Sequence, residues 1–271
     1  MVISQLRIKL RTQLNENPNE ADWIISYVTG LTQSDFILNN RSVTDKEAEQ
    51  INKIISRRNS GEPLQYILGE TEFMGYKFKV NPATLIPRQD TELLVETAAG
   101  LIGNTEAKVL DIGTGSGCIG ISLAKLCNSS RITLLDFSKK ALETAKENAV
   151  LNNVECDTVL CDILSEIPHG KFDVIVSNPP YIETETVKTL DKTVKDFEPV
   201  TALDGGDDGL IFYRRITEIS KNMLSESGFI VFEIGYNQGK SVSDILSKNG
   251  FKDIEIIKDY CGNDRVVKGR I

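Results

Sequence analysis

Residues 172–182 read FDVIVSNPPYI: a strand-like apolar run ends at Asn178, Pro179 and Pro180 follow, and then comes Tyr181. Proline has no N–H, fixes its own φ and biases the residue before it toward extended backbone. What leaves the strand is therefore a rigid set of acceptors, the Asn178 side-chain oxygen and neighbouring carbonyls, with Tyr181 offering an aromatic face. Fixed acceptors suit a planar –NH2 conjugated to a carbonyl or a ring. Bonds from its two N–H groups to Asn178 and the Pro179 carbonyl would orient its lone pair toward an electrophile. Such nitrogens are poor nucleophiles, so much of the rate must come from holding the reacting atoms about 3–3.5 Å apart. A sulfonium methyl donor fits this chemistry, and a nearby aromatic face stabilises a cation by about 0.5–2 kcal/mol.

A second chemical stretch, DIGTGSG, closes the strand pattern at 107–112. Gly113, Gly115 and Gly117 allow a sharp turn that brings backbone N–H groups to a ligand at the next helix's N-terminus. Asp136 ends the following strand, 19 residues after Gly117, where a carboxylate can accept from a ribose diol. Asp162 and Ile163 end the third, a polar group and an apolar neighbour able to frame an adenine. In open α/β sheets ligands sit beyond the carboxyl ends of the strands, as all these places are. Gly115, Gly117 and Gly120 also satisfy G-x-G-x-x-G, so the glycines alone fit a dinucleotide as well. Some 105 residues precede the site, and no His or Lys-Tyr pair is evident for hydride chemistry. Both features weigh against NAD.

The elements that must position these residues fall into two parts. In residues 1–70, Ile3, Leu6, Leu10 and Leu14 share one helical face. Asn19 and Gly30 bracket a second helix carrying Ile24, Ile25 and Val28. Thr44 and Glu47 form a capping box before Ile51, Ile54 and Ile55, with Gly61 closing that helix. A small all-helical N-terminal domain is expected over 1–70. In 71–88 the alternation of Tyr76, Phe78 and Val80 after Gly75 predicts a hairpin connector. From 89 to 271 strands and helices alternate: AKVLDI, RITLLD, CDTVLCD, FDVIVSN, GFIVFEI and a terminal pair near 251–258 and 265–271. The pattern predicts an α/β fold, a doubly wound, mostly parallel seven-stranded sheet whose last two strands form an antiparallel hairpin. FDVIVSN, fourth in the alternation, is expected beside AKVLDI.

Composition narrows the function classes. The net charge is −8 over 271 residues, and the first 70 residues are near neutral. That charge does not attract a nucleic-acid backbone without a local basic patch. Apolar runs are strand-sized, which predicts no membrane span, and no signal peptide is read at the N-terminus. Five cysteines without a C-x-x-C pair suggest buried, reduced thiols in a cytoplasmic protein. The single histidine, His169 in a turn-like PHGK, nearly excludes a His-based metal site or a Ser-His-Asp triad.

DIGTGSG followed by NPPY resembles the class I S-adenosylmethionine-dependent amino-methyltransferases. GEPLQYILGE (61–70), TLIPRQDTELLV (84–95), EPVTALDGGDDGL (198–210), FEIGYNQG (232–239) and DRVVKGR (264–270) narrow the resemblance to the release factor glutamine methyltransferases of the PrmC/HemK family. The resemblance implies N5-methylation of the glutamine in the Gly-Gly-Gln loop of class I peptide chain release factors, with S-adenosyl-L-methionine as cofactor and neither nucleic acid nor membrane as direct partner. It implies that Gly113, Thr114, Gly115, Ser116 and Gly117 hold the methionine end, Asp136 the ribose, and Ile163 the adenine surround, beside the strand-end Asp162. Asn178 would face both cofactor and substrate, binding the glutamine amide with Pro179, while Pro180 and Tyr181 lie against it. The helical domain would dock the factor's body, and a monomer is expected. The family's PRPDTE stands here as PRQDTE, Gln89 replacing a proline that aids a helix's first turn without being required. Arg88 and Glu92 are read as bracing the domain junction, and Arg214 and Arg215 as a solvated helical face. Glu198 and Glu233 either line the cleft or pair with neighbours.

Two other readings compete. A nucleic-acid amino-methyltransferase acting on adenine N6 meets the same planar –NH2 but needs base flipping and a basic surface. A nucleotide-dependent sensor module would bind cofactor without turnover, and an intact NPPY argues against it.

Overall fold

The computed structural model describes residues 1–14, 17–38 and 41–271. The chain divides into two compact units, Met1–Gly69 and Glu70–Ile271.

The first unit holds helices α1 (Ile3–Gln13), α2 (Glu20–Thr29), α3 (Asp35–Leu38), α4 (Asp45–Asn59) and α5 (Leu64–Leu68). Its core is the stripe read from the sequence, with Ile3, Leu6, Leu10, Ile24, Ile25, Ile51, Ile54 and Ile55 buried together. Thr44 and Glu47 complete the capping box of α4. Gly30 adopts left-handed geometry at the end of α2. Asn19 occupies the N-cap position without a side-chain bond to the helix. Asp22 is buried and accepts from Arg7 Nε at 2.6 Å, Arg7 Nη2 at 2.7 Å and Arg11 Nη2 at 3.0 Å, tying α1 to α2.

The second unit opens with a hairpin, β1 (Glu70–Phe73) and β2 (Tyr76–Lys79). Its two-residue turn, Met74 and Gly75, has positive φ at both positions, matching the right-handed twist of the strands. Phe73 and Phe78 are buried in the core beneath the main sheet, so the predicted connector packs as part of this unit. After it come α6 (Glu92–Ile102), β3 (Lys108–Ile112), α7 (Cys118–Leu126), β4 (Arg131–Asp136), α8 (Lys139–Leu151), β5 (Asp157–Leu160) and β6 (Phe172–Ser177). Two short helices, α9 (Thr184–Val187) and α10 (Lys192–Lys195), lead to α11 (Ile211–Met223), β7 (Leu224–Glu233), α12 (Gly239–Lys248), β8 (Lys252–Lys258) and β9 (Asp264–Arg270).

The seven strands run in the order β5-β4-β3-β6-β7-β9-β8. The pairs from β5 to β7 are parallel, and β9 is antiparallel to both neighbours. As expected, β6 lies beside β3, with Ile112 opposite Ser177. The chain therefore leaves the two strands side by side, at Gly113 and Asn178. Apolar clusters fill both faces of the sheet, the arrangement a parallel sheet requires. No described helix is long and apolar enough to cross a membrane.

Candidate active site

The ends of β3, β4 and β6 open onto one cavity of about 560 Å³, a size that suits a cofactor or drug-sized ligand. Ten predicted site residues line it: Gly113, Thr114, Gly115, Ser116, Asp136, Asp162, Ile163, Asn178, Pro179 and Pro180.

The glycine loop is held from three sides. The N–H groups of Gly113 and Thr114 both donate to the Leu135 carbonyl at 2.9 Å. Gly115 and Gly117 have φ of 56° and 83°, a region costly for any residue with a Cβ. Behind the loop, Asp111 accepts from Thr114 Oγ1 at 2.6 Å and from the Gly120 N–H at 3.0 Å. Complete burial pushes the Asp111 carboxyl up to about 7, against the pull of those two bonds. Asn148 of α8 donates to the Ser116 carbonyl at 2.8 Å and to the Lys79 carbonyl at 2.9 Å, coupling the loop to the hairpin. Gly117 stands at the start of α7, where an added Cβ would meet Ile121 Cδ1 at 2.8 Å.

Asp136, nearly buried, accepts from the Gly115 N–H at 2.9 Å and the Ser138 N–H at 2.8 Å. Burial raises its pKa, while these backbone bonds oppose the rise. A carboxylate has about four lone-pair sites, so two remain for a diol. Phe137, exposed by 55%, lies on the cavity wall beside it. Asp162 Oδ1 accepts from the Leu164 N–H at 3.0 Å, closing a local turn. The Ile163 carbonyl accepts from Arg215 Nε at 2.6 Å, and Arg215 Nη2 reaches the Glu166 carbonyl at 3.2 Å. Arg215 therefore braces the Ile163 loop instead of forming a solvated face, whereas Arg214 pairs with Asp208 at the surface.

At the other end of the cavity, Asn178 Nδ2 donates to Thr91 Oγ1 at 3.2 Å. With the amide N–H turned to Thr91, the carbonyl end is kept as acceptor. Pro179 is buried behind it. The DGGDDGL stretch clamps the chain just after the two prolines: the Ile182 N–H donates to the Leu203 carbonyl at 3.0 Å and the Gly205 N–H to the Ile182 carbonyl at 2.8 Å. Gln238 Nε2 donates to the Tyr181 carbonyl at 3.0 Å. An added Cβ on Gly205 would sit 2.8 Å from the Pro180 carbonyl oxygen, so only glycine admits this approach.

Tyr181 is not among the cavity-lining residues. Its ring packs at the edge of the core formed by β6, β7 and α11, with a built Cβ on Gly235 only 3.4 Å from Cδ2. Burial pushes its hydroxyl up to about 12, helped by the nearby Glu233 charge. Glu198 pairs with Arg88 at 2.5 Å, and Glu92 accepts from the Met74 N–H in the hairpin turn at 2.8 Å. Cys118, at a helix start that would favour a thiolate, is instead pushed up to about 12 by burial.

The site fits an S-adenosylmethionine-sized ligand on its own chemistry. The Ser116 hydroxyl is buried on the cavity wall with no hydrogen-bond partner among the described residues, the loop's amides stand at a helix N-terminus suited to a carboxylate, and Asp136 keeps acceptor capacity. Three contributors escaped the sequence: Thr91, Phe137 and Arg215. Phe137 alone left a trace, since it directly follows the strand-end Asp136.

Comparison with known proteins places the chain among methyltransferases. The family described as methyltransferase small domain matches residues 88–198, and the PrmC N-terminal domain matches residues 2–69. The release factor glutamine methyltransferase of Thermodesulfovibrio yellowstonii is 40% identical over 266 residues, covering 96% of this chain and 95% of that one. That of Clostridium botulinum is 43% identical over 242 residues, covering 87% and 86%. A methyltransferase from Pyrococcus furiosus, 18% identical, superposes with a TM-score of 0.56 over 79% of this chain and 98% of its own, a likeness of fold. With relatives this similar along nearly its whole length, the chain belongs to the release factor glutamine methyltransferase family.

Proposed function

We propose that the chain transfers a methyl group from S-adenosyl-L-methionine to the side-chain amide N5 of the glutamine in the Gly-Gly-Gln loop of class I peptide chain release factors. The observation that carries this reading is the meeting of the glycine loop and Asn178 at one cavity, fixed by the pairing of β3 with β6.

The bound cofactor supplies an electrophilic methyl group on a sulfonium. Gly113 to Gly117 would hold its methionine end, Asp136 its ribose, and Asp162 and Ile163 would surround its adenine. Asn178 Oδ1 and the Pro179 carbonyl accept the two N–H groups of the glutamine amide, aiming the nitrogen lone pair at the methyl carbon. With the cofactor bound, methyl transfer to this nitrogen would leave the S–C electron pair on sulfur. The nitrogen then sheds a proton to water, so no general base is needed. Pro179 and Pro180, lacking N–H groups, keep competing donors out of the acceptor pocket. Tyr181 acts from behind this segment, stiffening it through the Gln238 bond. The helical unit contacts the body of the factor, the protein works in the cytoplasm as a monomer, and no nucleic acid takes part.

Incubation with radiolabelled cofactor and a release factor, its Gln→Ala loop variant, or unmethylated DNA tests the reading. Label in the intact factor alone supports it. Label in DNA alone moves the substrate to an adenine-type amine, and label in none of them overturns the transfer.

A further inference from the structure

Glu233 ends β7 as Asn178 follows β6, and the two strands pair with Ser177 opposite Phe232. Asn178 and Glu233 therefore leave neighbouring strands at the same level. Glu233 is 2% exposed, and its Oε2 has no hydrogen-bond partner among the described residues. Thr91 is likewise buried, at 3%. Its oxygen accepts from Asn178 Nδ2, and a hydroxyl has one hydrogen to give. The Thr91 and Asn178 side chains both lie against the Glu233 carboxyl and favour its charged form. A carboxylate there can only accept, so it draws the Thr91 hydrogen and leaves the Thr91 lone pair to the Asn178 amide.

We propose that Glu233 is a positioning residue which, through Thr91 and by direct contact, locks the Asn178 amide with Nδ2 inward and Oδ1 toward the cavity. The inference rests on the proposed function, since it matters because Asn178 must accept from the substrate amide. Without the lock an asparagine amide can turn over and present N–H to N–H. A protonated Glu233 could donate to Thr91 and remove the bias.

Several groups face Glu233. Arg265 of β9 favours its charge, and Asp90, next to Thr91, opposes it. Arg265 also bonds Asp90 and Asp259. Tyr181, Tyr213 of α11 and Cys118 of α7 complete the set. Burial holds the last three high, with Tyr181 and Cys118 at about 12 and Tyr213 well above its ordinary value, so they stay neutral in the working range. Burial also lifts Glu233 to about 7. Asp111, behind the glycine loop, titrates in the same range, so a Glu233 variant is needed to assign the effect.

The test combines turnover with the side-chain amide resonance of Asn178, followed by NMR from pH 5.5 to 8.5. In the wild type the Asn178 resonance shifts with a midpoint near pH 7, and kcat on the release factor falls below it. Glu233→Gln abolishes the resonance titration. Thr91→Val lowers kcat by about tenfold or more while the KM for the cofactor stays within about twofold, and Thr91→Ser recovers most of the loss. An Asn178 resonance that does not move between pH 6 and 8, or that titrates unchanged in Glu233→Gln, overturns the proposal. So does a Thr91→Val enzyme with wild-type kcat. Should Thr91→Val not fold, the wild-type titration still decides. Should the wild type fail to methylate the factor, the proposed function falls, while the resonance continues to report on the lock.

Discussion

Asp136 Oδ2 accepts the Gly115 N–H at 2.9 Å, so the carboxylate that ends β4 also ties down the glycine loop that follows β3. Removing it does two things at once. Asp136→Ala takes away the acceptor proposed for the ribose and frees a loop held at positive φ. Bonds to a charged group are worth about 1.5–3 kcal/mol, so cofactor Kd measured by calorimetry should rise roughly 10- to 100-fold. Asp136→Asn should lose nearly as much, because its –NH2 would face either the Gly115 or the Ser138 N–H.

Asn178→Ala isolates the acceptor end. It removes the bond to Thr91 and the carbonyl proposed to orient the substrate nitrogen, yet leaves the glycine loop and Asp136 intact. The kcat for methyl transfer should fall by about 100-fold, the cost of losing alignment at the reacting centre. Cofactor Kd should change by less than about threefold.

Much of this was legible because sheet order follows from chain order. Alternating strands and helices put FDVIVSN beside AKVLDI, and period-2 and strand-end residues then located Asp136, Ile163 and Asn178 on one cavity. What stayed hidden depends on contacts between distant residues. Thr91 and Asn178 are 87 positions apart, and nothing in PRQDTE signals which side chain will meet the amide. Arg215 in YRRIT reads as surface, but the turn of α11 carries its guanidinium to the Ile163 carbonyl. Tyr181 reads as a free aromatic face, but the glycines of DGGDDGL let the chain pack closely around it and draw the ring toward the core. Two short helices between 183 and 196 carry too little periodicity to register.

Arg215→Ala tests that brace. Its Nε and Nη2 bonds fix two carbonyls in the 163–166 loop, on the side of the cavity proposed for adenine. Losing them should loosen Ile163 and raise cofactor Kd about three- to tenfold. The kcat at saturating cofactor should hold within about twofold, because Asn178 is untouched. A large fall in kcat with unchanged Kd would place Arg215 elsewhere in the mechanism.

Gly120 lies in α7 against β4. A Cβ there would collide with Leu134 Cδ2 and sit 3.0 Å from Ile132 Cγ2 and 3.2 Å from Asp111 Oδ2. Gly120→Ala must push the helix off the sheet or displace the carboxylate that anchors the loop. Overpacking of this kind costs about 1–3 kcal/mol, readable in denaturant unfolding. Cofactor binding should weaken with it, since Asp111 and the Gly120 N–H share one bond.

The helical unit should depend on pH in the opposite sense to the sheet unit's buried Asp111 and Glu233. Bonds from Arg7, the largest effect, hold Asp22 below its ordinary 3.8, with burial opposing and Arg11 adding. Glu47 is lowered to about 2, chiefly by Arg41. A depressed carboxyl binds fewer protons folded than unfolded, so its stabilisation is full above about pH 4–5 and fades as pH falls through the lowered value. Asp111 and Glu233 are raised to about 7, so they bind more protons folded. Their contribution to stability therefore declines as pH rises from about 4 to 7. Trp23 is the only tryptophan and shares α2 with Asp22, so its fluorescence during urea unfolding reports on the helical unit. Its transition should weaken between pH 5 and 2. Asp22→Ala should lower stability at pH 7 by about 3 kcal/mol, the low end for a broken buried pair, because Arg7 and Arg11 can turn to water. In that variant the acid dependence of the Trp23 transition should lessen, leaving the share from Glu47.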